Sequence, residues 1–319
     1  WVQGNWLMKK FHSPLRLLTP LVWESFNLKE YEVIISSSGW FICRGVITHP
    51  GQVHISYIHH PPRNLYGFPT GTKSNVFMRI YATVINPFLR IYDYTTAQRV
   101  DHLVANSETT RARIMKFYRR DATVIYPPVD VSRDTKYMKR KENVSHLTSH
   151  ISPYYLSVGR LNYAKRIDLA IEACNKLKLP LKIVGTGKEE ANLRLMAGNT
   201  IEFLGAVTDD ELGELYAGAK ALIFCALEED FGMVPVEAQA HGVPVVALRQ
   251  GGVTETIIEG RTGIFFPNPT KEEIIRAIKE FEKLKLESAD CISQAQKFSK
   301  EIFMKKMRAF VEDKYTHQV

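Results

Sequence analysis

Short apolar segments with the character of β-strands alternate with helical segments along nearly the whole sequence. Turn-forming glycine, proline, asparagine and serine residues separate the two kinds of segment. Such alternation is typical of a mostly parallel sheet with helices on its faces. We therefore predict an α/β fold of Rossmann-like architecture. Strands are expected at 31–36, 53–57, 101–106, 123–126, 154–158, 181–184, 201–204, 221–224, 244–247 and 264–266.

Two blocks carry this alternation, and a stretch of different character separates them. Residues 131–150 are polar and basic, with few large apolar side chains, as is typical of an inter-domain connection. A chain of 319 residues also fits two hydrophobic cores better than one. We predict a first domain over 1–130, a linker over 131–150 and a second domain over 151–298. The two Rossmann-like domains are expected to face each other across a cleft, with ligands at the carboxyl ends of the strands.

The charge of the chain is uneven. Residues 1–150 hold 20 lysines and arginines against 10 acids, and residues 151–319 hold 22 against 24, which together give the formal net charge of +8. A basic half beside a nearly neutral half indicates an anionic partner such as a membrane surface, a lipid phosphate or a nucleic acid. Plain solubility is the alternative interpretation. The aromatic residues show no arrangement typical of a nucleic-acid-binding module, so we predict no nucleic-acid partner.

Cysteine spacing and hydropathy exclude several other classes of protein. The four cysteines lie far apart and form no CxxC pair, which argues against a zinc or redox site and for a reducing cytoplasm. No run of 18 apolar residues occurs, so no transmembrane helix is expected.

One strand-to-helix turn in the second domain carries two glutamates with seven residues between them. Glu229 follows an apolar strand, and Glu237 lies about two helical turns further on. The turn presents backbone N–H groups and the positive end of a helix dipole to a ligand, and Gly232 allows close approach. The two carboxylates are candidates to accept hydrogen bonds from sugar hydroxyls and from a ribose diol. For Glu228 and Asp230 we favour the simpler interpretation that the dipole selects acids there.

Two cations lie at the end of the first strand of the second domain. Arg160 follows Gly159 at the strand end, and Lys165 lies near the start of the next helix. Two cations at such a place can neutralise a diphosphate, and a surface ion pair is the alternative. The second strand ends in Gly185-Thr186-Gly187, which lacks the third glycine of a dinucleotide-binding motif. A P-loop and an Asp-x-Asp motif are also absent from the sequence, so the cations could replace a metal ion.

Two histidines and a glycine pair add further candidates. His59 and His60 follow a strand end of the first domain, where either could contact a reacting sugar or accept a proton, and a purely structural role stays open. Gly251-Gly252 precedes a helical stretch and would either let backbone approach a ligand or form a tight turn.

Taken together, these motifs resemble a known family over nearly the whole chain. The sequence resembles a family 4 retaining glycosyltransferase of the GT-B fold, in the subgroup that includes mannosyltransferases of O-antigen and polysaccharide assembly. The matching motifs are Tyr57-x-His59-x-Pro61-x-Arg63, Ala105-Asn106-Ser107, Val124-Ile125-Tyr126-Pro127-Pro128, Gly159-Arg160 with Lys165, Gly185-x-Gly187, Phe203-Leu204-Gly205, Glu229-x-Phe231-Gly232-x4-Glu237, Gly251-Gly252 and Gly260-x-Thr262-Gly263.

The resemblance implies roles for the candidate residues. The first domain would be the acceptor side and the second the nucleotide-sugar donor domain, and the terminal segment 299–319 would be a helix that crosses back to the first domain. No metal and no cofactor would be needed, and the donor would be a nucleoside-diphosphate sugar, preferably GDP-mannose. The implied roles are diphosphate binding by Arg160 and Lys165 beside Gly159 and Gly185, binding of donor-sugar hydroxyls by Glu229, phosphate contact by the backbone of Phe231, Gly232, Met233 and Val234, ribose binding by Glu237, a nucleobase near Leu204 to Val207, and contact of His59 with the transferred sugar.

One departure and three alternatives accompany the resemblance. Members of the family begin with a strand and a glycine-rich loop that the sequence lacks, so the first domain is expected to be N-terminally truncated, with an exposed sheet edge. The acceptor would be a glycan or a lipid-linked sugar, and the protein would be cytoplasmic, at the inner membrane face through its basic half. The alternatives are a nucleotide-sugar-binding remnant without transfer activity, a UDP-GlcNAc 2-epimerase on the same fold, and a soluble acceptor.

Overall fold

A computed structural model describes residues 17–71, 76–131 and 154–317. The chain forms two compact units, and each combines segments that are distant in sequence. The predicted linker over 131–150 lies outside the described residues except for Val131. Of the described residues, unit 1 holds 17–68, 76–125 and 305–317, and unit 2 holds 69–71, 126–131 and 154–304.

Unit 1 is built on a parallel sheet of four strands in the order β1-β2-β3-β4. Both faces of β2 are buried, and β1 lies at one edge with Ile35 exposed. The last strand, predicted over 123–126, is only two residues long. The elements are α1 (Thr19–Glu24), β1 (Val33–Ser38), a 3₁₀ turn (Cys43–Gly45), β2 (Val53–Ile58), α2 (Val76–Arg99), β3 (His102–Ala105), α3 (Glu108–Tyr118) and β4 (Thr123–Val124).

A buried charge network lies in the interior of unit 1. The guanidinium of Arg44 is fully buried, forms an ion pair with buried Asp93, and donates hydrogen bonds to Ser38 Oγ at 2.9 Å and to the Tyr118 hydroxyl at 3.0 Å. The hydroxyl of Tyr66 donates to the second oxygen of Asp93 at 2.7 Å. Burial alone would lower the pKa of Arg44, but the Asp93 carboxylate raises it. The network therefore satisfies a charge that an apolar core would otherwise exclude.

Unit 2 is built on a parallel sheet of six strands in the order β10-β9-β8-β5-β6-β7. Its elements are β5 (Tyr154–Val158), a 3₁₀ turn (Tyr163–Lys165), α4 (Ile167–Leu177), β6 (Leu181–Val184), α5 (Glu190–Met196), β7 (Ile201–Gly205), α6 (Asp209–Gly218), β8 (Ala219–Phe224), α7 (Met233–Ala240), β9 (Val245–Leu248), α8 (Val253–Thr256), β10 (Gly263–Phe266), α9 (Lys271–Phe281) and α10 (Ser288–Gln296). A final helix, α11 (Lys300–Thr316), begins in unit 2 and ends in unit 1.

Side chains of the unit 2 strands pack alternately into two cores, one on each face of the sheet. Tyr155 and Ile223 lie in the core shared with α4 and α9, and their neighbours Leu156 and Leu222 lie in the core shared with α6 and α7. Because both faces are covered, the strands are almost continuously apolar, as is usual for a parallel sheet between helix layers.

Most predicted strands are present within two residues of their expected bounds, but the helix that was expected to start near Lys165 begins later. Asn162 accepts a hydrogen bond from the backbone N–H of Lys165 at 3.2 Å and closes a 3₁₀ turn. Arg166 then adopts a left-handed conformation with φ of 47°, and α4 starts at Ile167. Lys165 therefore lies on a turn before the helix rather than in its first residues.

Candidate functional site

The loops that follow β5, β6 and β7 meet at the carboxyl edge of the unit 2 sheet. The backbone N–H of Gly159 donates to Val184 O at 3.0 Å, and that of Gly185 donates to Gly205 O at 2.7 Å. A Cβ atom on Gly185 would lie 2.0 Å from Gly159 O. The predicted glycines at 159 and 185 therefore bring successive loops into direct backbone contact. Leu204 and Val207 follow on the same side and pack partly buried against the second core.

The central polar contact of this edge is an ion pair that joins two loops distant in sequence. Lys165 Nζ lies 2.7 Å from Glu229 Oε2, and both side chains are about four-fifths buried. The ammonium also lies 5.3 Å from the centroid of the Phe224 ring at the end of β8. Arg160, in contrast, is exposed in the loop after β5. The structure thus places a paired lysine and carboxylate at the edge, with an exposed arginine on the preceding loop.

The loop that carries Glu229 is held by backbone contacts with the loop after β9. Glu229 forms a parallel bridge with Gly251, and the N–H of Gly252 donates to Glu229 O at 2.8 Å. The side chain of Gln250 donates to a carboxylate oxygen of Glu228 at 2.6 Å. Glu228 therefore fixes the loop. The glycine pair serves the close approach of two backbone segments.

Gly252→Ala is expected to weaken binding of the nucleoside-diphosphate sugar that the sequence resemblance implies by about tenfold or more, since small displacements of binding groups are costly. A Cβ atom at this position would lie 2.4 Å from Asp230 O, so the Glu229 loop would have to shift. Isothermal titration with a nucleotide sugar measures the effect. Gly260→Ala is the matched control, because its added Cβ meets open space and only backbone strain remains. Equal affinities for both variants would contradict the expectation.

Helix α7 begins directly after this loop. Gly232 precedes the helix with φ of 96°, and the first helical residues are Met233 and Val234, whose N–H groups have no acceptor within the helix. Such a terminus suits an anion. The side chain of Phe231 lies in the core and packs against Tyr126 and Phe298. Any contact of Phe231 with a ligand would therefore come from its backbone.

Glu237 lies on α7 at the edge of a cavity of about 230 Å³. The hydroxyl of Tyr216 donates to Glu237 Oε2 at 3.3 Å, and the Tyr216 ring stacks on His241 at 5.1 Å between centroids. Burial raises the pKa of Glu237, and the hydrogen bond from Tyr216 partly opposes the shift. The site therefore holds a carboxylate of raised basicity beside a small cavity. Its lining residues are Asp130, Asp209, Leu212, Gly213, Tyr216, Glu237 and His241.

Glu237→Gln is expected to raise the melting temperature at neutral pH while weakening binding of the nucleotide that the sequence resemblance implies by about tenfold, the value of one charge-assisted hydrogen bond. Because the folded-state pKa of Glu237 is raised, its contribution to stability is present below the unfolded-state pKa and is lost as pH rises through the folded-state pKa. The neutral amide removes that dependence. Melting curves across pH, with titrations at pH 7, measure both effects. Glu211→Gln is the control. Glu211 is exposed and its capping hydrogen bonds lower its pKa, so this variant should be less stable than the unaltered chain at neutral pH.

His59 belongs to unit 1 and follows β2. Its Nε2 lies 2.7 Å from Ser37 Oγ, and its ring makes an edge contact with Tyr57 at 5.3 Å. The Thr110 hydroxyl donates to His59 O at 3.3 Å. His59 is thus an exposed, oriented histidine at the carboxyl end of a strand. His60 Nδ1 lies 3.0 Å from the backbone oxygen of Pro61, the next residue in the chain.

Neither a metal cluster nor a membrane-spanning helix is found in the described ranges. Residues 17–71, 76–131 and 154–317 contain no group of three or more histidine, cysteine, aspartate or glutamate side chains arranged to hold a metal ion. Within these same ranges no helix combines the length and apolar character that crossing a bilayer requires.

Comparison with protein families assigns the chain. Residues 138–298 match the family described as "Glycosyl transferases group 1", and residues 4–133 match "Glycosyltransferase Family 4". The first match covers half of the chain, and the chain belongs to the group 1 glycosyltransferases. The GT-B fold class predicted from the sequence is confirmed.

Individual proteins agree with this assignment. The D-inositol 3-phosphate glycosyltransferase of Pseudarthrobacter chlorophenolicus is 30% identical over 179 residues, which cover 51% of this chain and 43% of that protein. The alpha-1,3/1,6-mannosyltransferase ALG2 of Dictyostelium discoideum is 23% identical over 264 residues, covering 70% and 60%. The solved structure of Anabaena HepE with UDP-glucose has a TM-score of 0.68 at 18% identity, covering 97% and 84%. The chain spans 43–47% of the length of the first curated relatives it matches.

The sequence contains no signal for the role of Tyr216 or for the cavity beside it. Tyr216 lies on α6 among residues with ordinary amphipathic spacing, and no local pattern marks it as a partner of Glu237. The pairing of Lys165 with Glu229 was equally invisible, because 64 residues separate the two side chains.

Proposed function

We propose that the chain is a retaining hexosyltransferase that moves a hexose, preferably mannose, from a nucleoside-diphosphate sugar to a glycan or lipid-linked acceptor. The observation that carries the proposal is the Lys165–Glu229 ion pair, which joins the turn before α4 to the loop that leads into α7. A cation, a carboxylate and the N–H groups of a helix terminus together suit a ligand that combines phosphates with sugar hydroxyls. Membership of the group 1 glycosyltransferases supports the same ligand class.

Each residue of the site has a proposed role. Lys165 and Arg160 neutralise the diphosphate, and the N–H groups of Met233 and Val234 donate to its distal phosphate. Glu229 exchanges part of its ion pair for hydrogen bonds with donor-sugar hydroxyls. Glu237 accepts hydrogen bonds from the ribose diol. The nucleobase lies near 204–207, and His59 contacts the transferred sugar from unit 1.

The proposed reaction is a front-face displacement. An acceptor hydroxyl oxygen forms a bond to C1 of the donor sugar while the bond from C1 to the diphosphate oxygen breaks, so that both bond electrons go to the leaving group. The acceptor proton passes to an oxygen of the leaving phosphate, and the anomeric configuration is retained. Lys165 and the α7 terminus stabilise the negative charge that develops on the diphosphate. A protein nucleophile is not part of this proposal.

The donor and the metal requirement are proposed from the same residues. Two cations and a helix terminus supply the positive charge that the leaving group needs, so transfer is proposed to be independent of a divalent metal. Mannose from GDP-mannose is the preferred donor. The similarity to an ALG2 mannosyltransferase supports mannose as the transferred sugar. The structure of HepE contains UDP-glucose, so a UDP-sugar is the alternative donor.

The acceptor side is proposed from charge. Residues 1–150 carry twice as many basic as acidic residues, which suits an anionic lipid-linked acceptor at the inner face of the cytoplasmic membrane. A cytoplasmic location with peripheral membrane association follows as a proposal.

Calorimetric titration tests the donor site. The chain is titrated with GDP, UDP, GDP-mannose and UDP-glucose, with and without EDTA, beside Glu229→Ala and the control Glu202→Ala, which removes a carboxylate from an exposed pair with Lys182. We expect one nucleotide sugar to bind with the same affinity in the presence and absence of EDTA. Glu229→Ala should lower this affinity, and Glu202→Ala should leave it unchanged. Absence of binding to all four would overturn the proposal. Binding without transfer to any acceptor would favour a non-transferring remnant, and acceptor-independent turnover of UDP-GlcNAc would favour an epimerase.

A further inference from the structure

Helix α2 of unit 1 carries an apolar stripe on its exposed side. The stripe is formed by five residues, which are named at the end of this paragraph. Positions on an α-helix advance by about 100° per residue, so these five side chains fall within an arc of about 120°. Their side chains are 57–67% exposed, which is unusual for a contiguous row of branched and aromatic residues. The stripe consists of Val76, Ile80, Val84, Phe88 and Ile91.

The stripe is distinct from the face by which α2 packs on its own unit. Leu89, Asp93, Thr96 and Ala97 are buried, and they lie on the opposite side of the helix. A helix that is apolar on both sides has a second apolar surface to cover. The buried side of α2 makes the contacts with the rest of unit 1. Within the described residues the stripe is exposed, so it is available to a partner.

The charges of α2 decide which partner fits. The helix contains one acid, Asp93, and this carboxylate is buried and paired with Arg44. Arg79 and Arg90 are exposed, and both border the stripe on the same side. One nitrogen of the Arg90 guanidinium donates to Leu65 O at 3.2 Å, and the side chain remains exposed beside the stripe. An apolar face flanked by arginines has the composition of a helix that lies in the interface of an anionic bilayer, where long basic side chains reach the headgroups. In an antiparallel twofold contact between two copies of the chain, the arginine borders of both helices would lie on the same side and repel one another.

We propose that the α2 stripe is a membrane-docking surface, which inserts into the interface of a bilayer containing anionic phospholipid, with Arg79 and Arg90 on the headgroups. The proposal names the surface for the membrane association that was proposed above from the charge of residues 1–150, and it does not depend on the identity of the donor.

Vesicle flotation tests the proposal with the full chain. Vesicles of phosphatidylcholine alone are compared with vesicles that also contain phosphatidylglycerol. We expect binding to the anionic vesicles, and a loss of about tenfold or more in the variant Ile80→Ser/Phe88→Ser/Ile91→Ser. Arg79→Gln should weaken binding to the anionic vesicles and leave the weak binding to neutral vesicles unchanged. Leu195→Ser, which removes a side chain that is 87% exposed on α5 of unit 2, should bind as the unaltered chain does.

Absence of vesicle binding would overturn the proposal, and so would equal binding of the triple-serine variant. If vesicle binding is absent and light scattering shows a dimer that the triple-serine variant separates, the stripe joins two copies of the chain instead. Nucleotide-sugar titration and thermal unfolding of the same samples show that unit 2 and the fold are intact. Failure of the donor site would therefore be seen separately from failure of membrane docking.

Discussion

Lys165→Met is expected to lower the rate of nucleoside-diphosphate release in the proposed transfer reaction by about 10²- to 10³-fold, the usual effect of removing one group that stabilises transition-state charge. Lys165 is the cation that the structure places directly against Glu229, at 2.7 Å. Without it, negative charge develops on the leaving diphosphate with less compensation, and Glu229 is left without its ion-pair partner. Release of nucleoside diphosphate from the donor sugar measures the effect without requiring a known acceptor.

Lys182→Met is the matched control for this substitution. Lys182 is also a lysine of unit 2 that faces a glutamate, but its ammonium lies 3.6 Å from Glu202 in a more exposed pair on β6. Exposed pairs of this kind contribute little, so the rate should change little. An unchanged rate in Lys165→Met, together with unchanged nucleotide affinity, would remove Lys165 from the proposed mechanism.

Arg44→Met is expected to destabilise unit 1 by about 3–5 kcal/mol, because the substitution leaves the Asp93 carboxylate buried without its cation. Both side chains of the pair are fully buried. The double variant Arg44→Met/Asp93→Asn should recover most of the loss, since the amide oxygen still accepts from Tyr66 and no net charge is buried. Amide hydrogen exchange of β1 to β3 is a suitable measurement, because two units need not unfold together.

Arg111→Met provides the comparison for the buried pair. Arg111 forms a two-point contact with Asp121 at 2.7 and 2.9 Å, but both side chains are largely exposed. Solvent screens such a pair, so we expect little change in exchange rates. If Arg44→Met were no more harmful than Arg111→Met, the buried network would be dispensable for unit 1.

The order of secondary structure was largely readable from the sequence. Strands such as β5 and β8 are continuous apolar segments bounded by turn residues, and the helices between them have amphipathic spacing, so local pattern alone predicts both. The start of α6 is also set locally, by a capping box in which Thr208 and Glu211 satisfy each other's backbone N–H groups. The 3₁₀ turn that delays the start of α4 was not predicted from the sequence. No sequence pattern marks a left-handed backbone conformation at a non-glycine residue such as Arg166.

Part of the candidate site was also predictable. Glu229 and Gly232 lie on a strand-to-helix turn and Glu237 lies on the helix that follows, and the carboxyl edge of a parallel sheet is where ligands of such folds bind. The sequence could not show that Phe231, between two site residues, points into the core. Neighbouring residues on a turn face different environments, and only the packing of Tyr126 and Phe298 decides which side chain becomes buried.

The sequence by itself determined the α/β alternation, the two-unit organisation and the set of glycines and charged residues at strand ends, since each depends on spacing over a few residues. The tertiary structure decided which of those residues meet. The pairs Lys165–Glu229, Tyr216–Glu237 and Arg44–Asp93 join residues that are 64, 21 and 49 positions apart. Such contacts arise when strand order and helix packing bring distant segments together, and burial then gives each charge its strength by removing the competing water.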